Sequence, residues 1–147
     1  MTAPIGALAA NMTVTNADKQ SLVQLANEAR RHAYAPYSKY RVGAALRTKS
    51  GRLFTGVNVE NAAYPTSICA ERTAVFKAVS EGEQDFEIIA VVTDNGGSPC
   101  GSCRQVLAEF GLDTAVVLAD GSGRITLETT VGDLLPHAFR PEHLGKP

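Results

Sequence analysis

Cys100 and Cys103 stand at i and i+3, a spacing that turns two sulfurs onto one helix face and lets them grip one ion. Pro99 just before them suits a helix entry. A C-x-x-C pair also describes a redox dithiol, but that reading leaves Cys69 unexplained. Three thiolates would fill three of the four tetrahedral positions on zinc and leave one open for water, as a catalytic site requires. The competing readings are three inert buried cysteines, or a structural zinc with a fourth protein ligand. His32, His137 and His143 are the only histidines, and none adjoins the cysteines in sequence.

Glu71 lies two residues after Cys69, and in a first helical turn both side chains can aim past the helix end. A carboxylate there can take a proton from activated water and return it to a substrate nitrogen. Taken alone, the same glutamate is an ordinary complement to a helix dipole. Three thiolates overcompensate Zn²⁺, so positive charge is needed nearby, and Arg72 is adjacent. Two helix N-termini would add further positive potential and amide donors to the sulfurs.

These residues need a scaffold that brings Cys69 to the C-x-x-C pair. Helical spacing of Leu22, Leu25, Ala26 and Ala29 predicts a helix over Asp18 to His32, capped by Asn16 or Thr15. Val42 to Thr48 and Arg52 to Val57 flank Lys49-Ser50-Gly51 and read as a hairpin. Ile68 to Val79 reads as a second helix, stopped at Gly82, and Glu87 to Thr93 as a fully buried strand. A helix over Gly101 to Phe110, strands at Ala115 to Leu118 and Arg124 to Glu128, and a short helix over Val131 to Leu135 complete the chain. The order α-β-β-α-β-α-β-β-α is that of a sheet layered with helices. It leaves room for an α-β-α unit between Cys69 and Cys100 and places both helix starts at strand carboxyl ends, where α/β sheets hold ligands.

The 147 residues, 44% of them hydrophobic, suffice for one domain with a real core. Residues 1–15 lack caps and a sustained period and are expected to form a flexible tail, leaving residues 16–147 as the catalytic domain. A formal charge of -1 and no basic stripe argue against a nucleic-acid partner. An odd cysteine count points to a reducing compartment, and no segment reads as a signal or a membrane span. A soluble cytoplasmic protein is expected.

The stretches C-A-E-R (Cys69 to Arg72) and P-C-G-S-C-R-Q (Pro99 to Gln105) resemble the small cytidine deaminase family in its three-cysteine form. The likeness extends through Pro36 to Leu46, Gly56 to Pro65 and Leu134 to Phe139. It implies a three-layer α-β-α fold with a mixed five-stranded sheet, and one zinc ion per subunit held by Cys69, Cys100 and Cys103. Glu71 would be the catalytic proton carrier, with Arg72 compensating the thiolates. The implied reaction is hydrolytic deamination of cytidine and 2'-deoxycytidine in pyrimidine salvage. By the same likeness Asn58 and Glu60 would bind the ribose hydroxyls, Tyr40 would stack on the base, and Ala70 would also bind substrate. Tyr40 occupies a position that is usually Phe in the family. Tyr64 and Phe139 would reach sites shared between subunits of a homotetramer. Deamination of nucleoside-like antibiotics such as blasticidin S is the neighbouring reading, and Glu60 favours ordinary nucleosides. A zinc-stapled binding module and a redox dithiol are the readings from other classes.

Overall fold

In the computed structural model, which describes residues 14–145, the first helix begins with a reciprocal cap. The Thr15 hydroxyl accepts from the Asp18 amide, and the Asp18 carboxylate accepts from the Thr15 amide. The chain therefore enters the fold before residue 16: Val14 packs on the core and Thr15 is the N-cap. The rest of the expected tail lies outside the described residues. Helix α1 runs Asn16–Arg30 and buries Leu22, Val23 and Ala26, one stripe at helical spacing.

The strands are β1 Gly43–Thr48, β2 Leu53–Val57, β3 Phe86–Val92, β4 Ala115–Ala119 and β5 Ile125–Thr130. They form one mixed sheet in the order β2-β1-β3-β4-β5, in which only β3 and β4 run parallel. Helices α2 (Ala70–Ser80), α3 (Gly101–Glu109) and the one-turn α4 (Val131–Leu134) complete the regular structure, with short 3-10 turns at Tyr64–Thr66 and Pro141–Leu144. Alternation along the strands sorts the core into two layers. Ala45, Ile88, Ala90, Val92 and Val117 meet α1, whereas Ala44, Leu46, Ile89, Val91 and Val116 meet α2 and α3. This is the expected three-layer arrangement with helices on both faces.

Helix α2 starts at Ala70 rather than Ile68, because Cys69 and Ser67 keep extended backbones and Ile68 pairs with Val59. Cys69 becomes the N-cap, as Cys100 does for α3. Glycine sets how closely α2 rides on the sheet: a Cβ on Gly56 would lie 2.4 Å from the Ala70 carbonyl oxygen and 2.5 Å from the Ala74 amide.

The pairing register decides where the chemistry falls. Gly43 opens β1 opposite both Val57, the end of β2, and Val92, the end of β3. The segments before β1, after β2 and after β3 therefore meet at one end of the sheet. Among the described residues no helix is long and apolar enough to cross a membrane.

Candidate metal centre and substrate pocket

The N-cap cysteines are unusual in what they leave undone. Where Ser, Thr or Asp at this position accepts a hydrogen bond from the first-turn amides, neither Cys69 nor Cys100 makes a side-chain cap bond. Both sulfurs are thereby free to turn outward beside Cys103, which sits in the first turn of α3. Separations are 3.8 Å between the Cys69 and Cys100 sulfurs and 3.5 Å between those of Cys100 and Cys103. All three sulfurs lie within 4.8 Å of one another. A tetrahedron with zinc–sulfur bonds of about 2.3 Å has edges of about 3.8 Å, so this donor set fits one zinc ion.

Charge around the thiols is arranged to keep at least one ionised. The Cys103 thiol hydrogen-bonds Cys69 and, with the Arg72 guanidinium, holds the Cys69 pKa down at about 5 despite burial. Cys103 moves the opposite way, through that same hydrogen bond, its burial and the nearby Glu71 carboxylate. The Arg72 guanidinium donates to the Cys69 sulfur at 3.3 Å, and the Cys69 thiolate raises the Arg72 pKa in return. Arg72 thus stands where charge compensation was expected.

Glu71 is only 4% exposed, and burial raises its carboxyl pKa above the usual range, opposed by a hydrogen bond with Cys103. With Cys69 and Cys100 it lines a cavity of about 250 Å³ whose walls include Tyr40, Asn58, Glu60, Thr93 and Gly97. A larger surface hollow of about 540 Å³ runs along α1 past Gln20 and Asn27, but it carries none of the thiols. The smaller cavity is the candidate site, since there a mostly apolar chamber with a few polar groups meets a buried carboxyl and a metal-binding set.

Asn58 and Glu60 reach the pocket, and both are also fixed by the chain in front of β1. Asn58 accepts from the Val42 amide at 2.9 Å and donates to the Tyr40 carbonyl at 2.8 Å. Glu60 accepts from the Ser38 hydroxyl and from the Ser38 and Tyr37 amides at 3.1 and 3.0 Å, which lowers its pKa, the hydroxyl contributing most. Both line the cavity, and each has hydrogen-bonding capacity beyond these contacts.

Ala70 is fully buried at the start of α2 and is not among the lining residues. Tyr64 and Phe139 also stand outside the chamber, at 69% and 55% exposure. Tyr64 packs edge-on against Tyr37, and the Phe139 carbonyl accepts from Gln105.

Sequence reasoning did not single out Ser38, Thr93, Gly97 or Arg104. Thr93 follows the carboxyl end of a fully buried strand, a position that itself points to a ligand crevice. Arg104 is legible only in three dimensions: its guanidinium donates to the Pro99 and Leu134 carbonyls and the Ser98 hydroxyl, tying the loop before Cys100 to the C-terminal segment.

A buried glutamate beside an open-sided Cys₃ zinc site on a mixed α/β sheet defines the zinc-dependent deaminase class. Residues 16–119 match the family model for the zinc-binding region of cytidine and deoxycytidylate deaminases. The chain is 51% identical over 131 residues to the cytidine deaminase of Sporosarcina psychrophila, spanning 87% of this chain and 96% of that one. The crystal structure of cytidine deaminase from Burkholderia pseudomallei superposes with a TM-score of 0.78 at 47% identity, covering 86% of this chain and all of that one. A blasticidin-S deaminase of Bacillus cereus is 34% identical, over 78% of this chain and 87% of its own. The chain belongs to the cytidine and deoxycytidylate deaminase family.

Proposed function

We propose that this chain hydrolyses the exocyclic amine of cytidine and 2'-deoxycytidine, yielding uridine or 2'-deoxyuridine and ammonia, within pyrimidine salvage. One observation carries the reading: a nearly fully buried Glu71 lines the same small chamber as Cys69 and Cys100, two members of a zinc-sized Cys₃ set. When bound, zinc supplies a Lewis acid that brings the ionisation of water into the neutral range. Glu71 takes one proton from the water as it adds to C4 and delivers it to the ring nitrogen, then takes the second from the hydroxyl left on C4 and delivers it to the amine, which departs as ammonia as C4 becomes a carbonyl. Burial strengthens its hold on each proton between acceptance and delivery. Arg72 and the N-termini of α2 and α3 offset the thiolate charge, so that the metal remains acidic enough to act.

Asn58 and Glu60 receive the ribose hydroxyls, and the Tyr40 ring packs on the base. The Glu60 carboxylate repels a 5'-phosphate, which selects nucleosides over nucleotides. Three unpaired thiols suit a reducing compartment, the cytoplasm. The assembly is a homotetramer in which Tyr64 and Phe139 close the pockets of neighbouring subunits. Supporting this is the exposure of both rings outside the pocket of their own chain. Sedimentation of a fully active monomer would overturn that assembly.

The substrate is decided by following ammonia release from cytidine, 2'-deoxycytidine, cytosine, deoxycytidine phosphate and blasticidin S, with zinc content measured in parallel. Turnover of the two nucleosides by stoichiometrically zinc-loaded protein is expected. Turnover of blasticidin S alone would sink the reading.

A further inference from the structure

Tyr40 touches two parts of the pocket at once. Its backbone sits on the ribose side: its carbonyl accepts from Asn58 and its amide donates to the Ser38 hydroxyl, which in turn donates to Glu60. Its hydroxyl reaches the loop after β3 and donates to Asn95 Oδ1 at 2.9 Å. Thr93 Oγ1 lies 3.3 Å from the same oxygen and accepts from the Gly97 amide at 2.7 Å. The phenol is thus anchored to a loop that lines the chamber through Thr93 and Gly97.

Gly97 explains how the phenol fits. A Cβ at residue 97 would lie 2.5 Å from the Tyr40 hydroxyl oxygen, while the next nearest atoms are at 3.4 and 3.7 Å. Gly97 is absent from the positive-φ glycines, so its backbone conformation does not itself demand glycine. The hydroxyl of Tyr40 is the one atom that a Cβ there would crowd, so a side chain at residue 97 requires the phenol to move.

We propose that Tyr40, Asn95 and Thr93 form a latch that holds the aromatic wall of the pocket in its nucleoside-binding position. In this latch residue 97 is glycine because the hydroxyl occupies the space of a Cβ. The nucleoside part rests on the substrate reading above. An aromatic ring held in place before the substrate arrives loses less freedom on binding, so the latch acts on KM rather than on the chemical step. Asn95 and Thr93 are positioning residues that act through the ring.

Kinetics and melting of Tyr40→Phe, Asn95→Ala, Asn95→Asp, Gly97→Ala and the pairs with Tyr40→Phe test this. Tyr40→Phe and Asn95→Ala each raise KM for cytidine about three- to tenfold, the worth of one hydrogen bond, with kcat changed less than about twofold. Their combination is no worse than either alone, and Asn95→Asp, which keeps the acceptor, stays near wild type. Gly97→Ala lowers the melting temperature, and adding Tyr40→Phe restores it to that of Tyr40→Phe alone. Additive KM effects, or equal harm from Gly97→Ala with and without the hydroxyl, would overturn the latch. Melting needs no turnover, so it decides the steric claim even if cytidine proves not to be the substrate. A wild-type protein that leaves cytidine unchanged overturns the substrate reading and the KM claim with it.

Discussion

At the scale of single residues, the site is a problem of charge. A carboxyl group that is 4% exposed and hydrogen-bonded to Cys103 is costly to keep ionised. Glu71→Gln keeps the shape and hydrogen-bonding capacity but cannot carry a proton. It is therefore expected to fold and to hold zinc normally while turnover falls by about 10² to 10⁴. Ammonia release measured beside metal content checks this, and near-normal rates would remove Glu71 from the reaction. The types and spacing of Cys69, Glu71, Arg72, Cys100 and Cys103 were legible in the chain because each motif is local: two helix starts, each carrying its own set. Ser38 was not legible, since its role depends on Glu60, which lies 22 residues away.

At the scale of elements, the site depends on how α2 and the turns seat against the sheet. Gly56→Ala pushes a methyl group into the backbone of Ala70 and Ala74 and displaces the helix that carries Glu71. A loss of about 1 to 3 kcal/mol in denaturant unfolding is expected, with weaker zinc retention. The turn from β4 to β5 is tied by Asp120. Its carboxylate accepts from the Ser122 hydroxyl, and from the amides of Ser122 and Arg124, and pairs with the Arg124 guanidinium. These contacts, the Ser122 hydroxyl foremost, lower the Asp120 pKa to about 2. A carboxyl whose pKa is depressed on folding stabilises fully above its unfolded value of about 3.9, and that contribution fades as pH falls towards the folded value. Asp120→Asn should therefore lower the melting temperature at pH 6, and the gap from wild type should close between about pH 4 and pH 2. A gap that persists unchanged in acid would show that the carboxylate charge is not what holds the turn.

For the molecule as a whole, the metal joins parts that packing joins only in part. Cys69 caps α2, Cys100 caps α3 and Cys103 lies in its first turn, with β3 between the two helices in the chain. An ion bound by all three stabilises the folded state by mass action in addition to the two apolar layers. Chelation is expected to lower the melting temperature and added zinc to restore it. Cys103→Ala, lacking one ligand, should respond much less to the chelator. An equal response in both proteins would mean that the metal does not bridge the helices through Cys103.

The sequence by itself determined the layered α/β class, the order of elements and the zinc chemistry, because hydrophobic period, helix starts and ligand spacing are properties of neighbours along the chain. Element ends shifted by a residue or two where caps intervened, as at Thr15 and Cys69. Only the tertiary structure decided which segments share the pocket. Gly43 pairs with both Val57 and Val92, and that register alone brings Tyr40, Asn58 and Thr93 to one end of the sheet. It also decided the surroundings of Tyr40. Its hydroxyl is bound 55 residues away, at Asn95, and a contact at that distance leaves no periodic signal in the sequence.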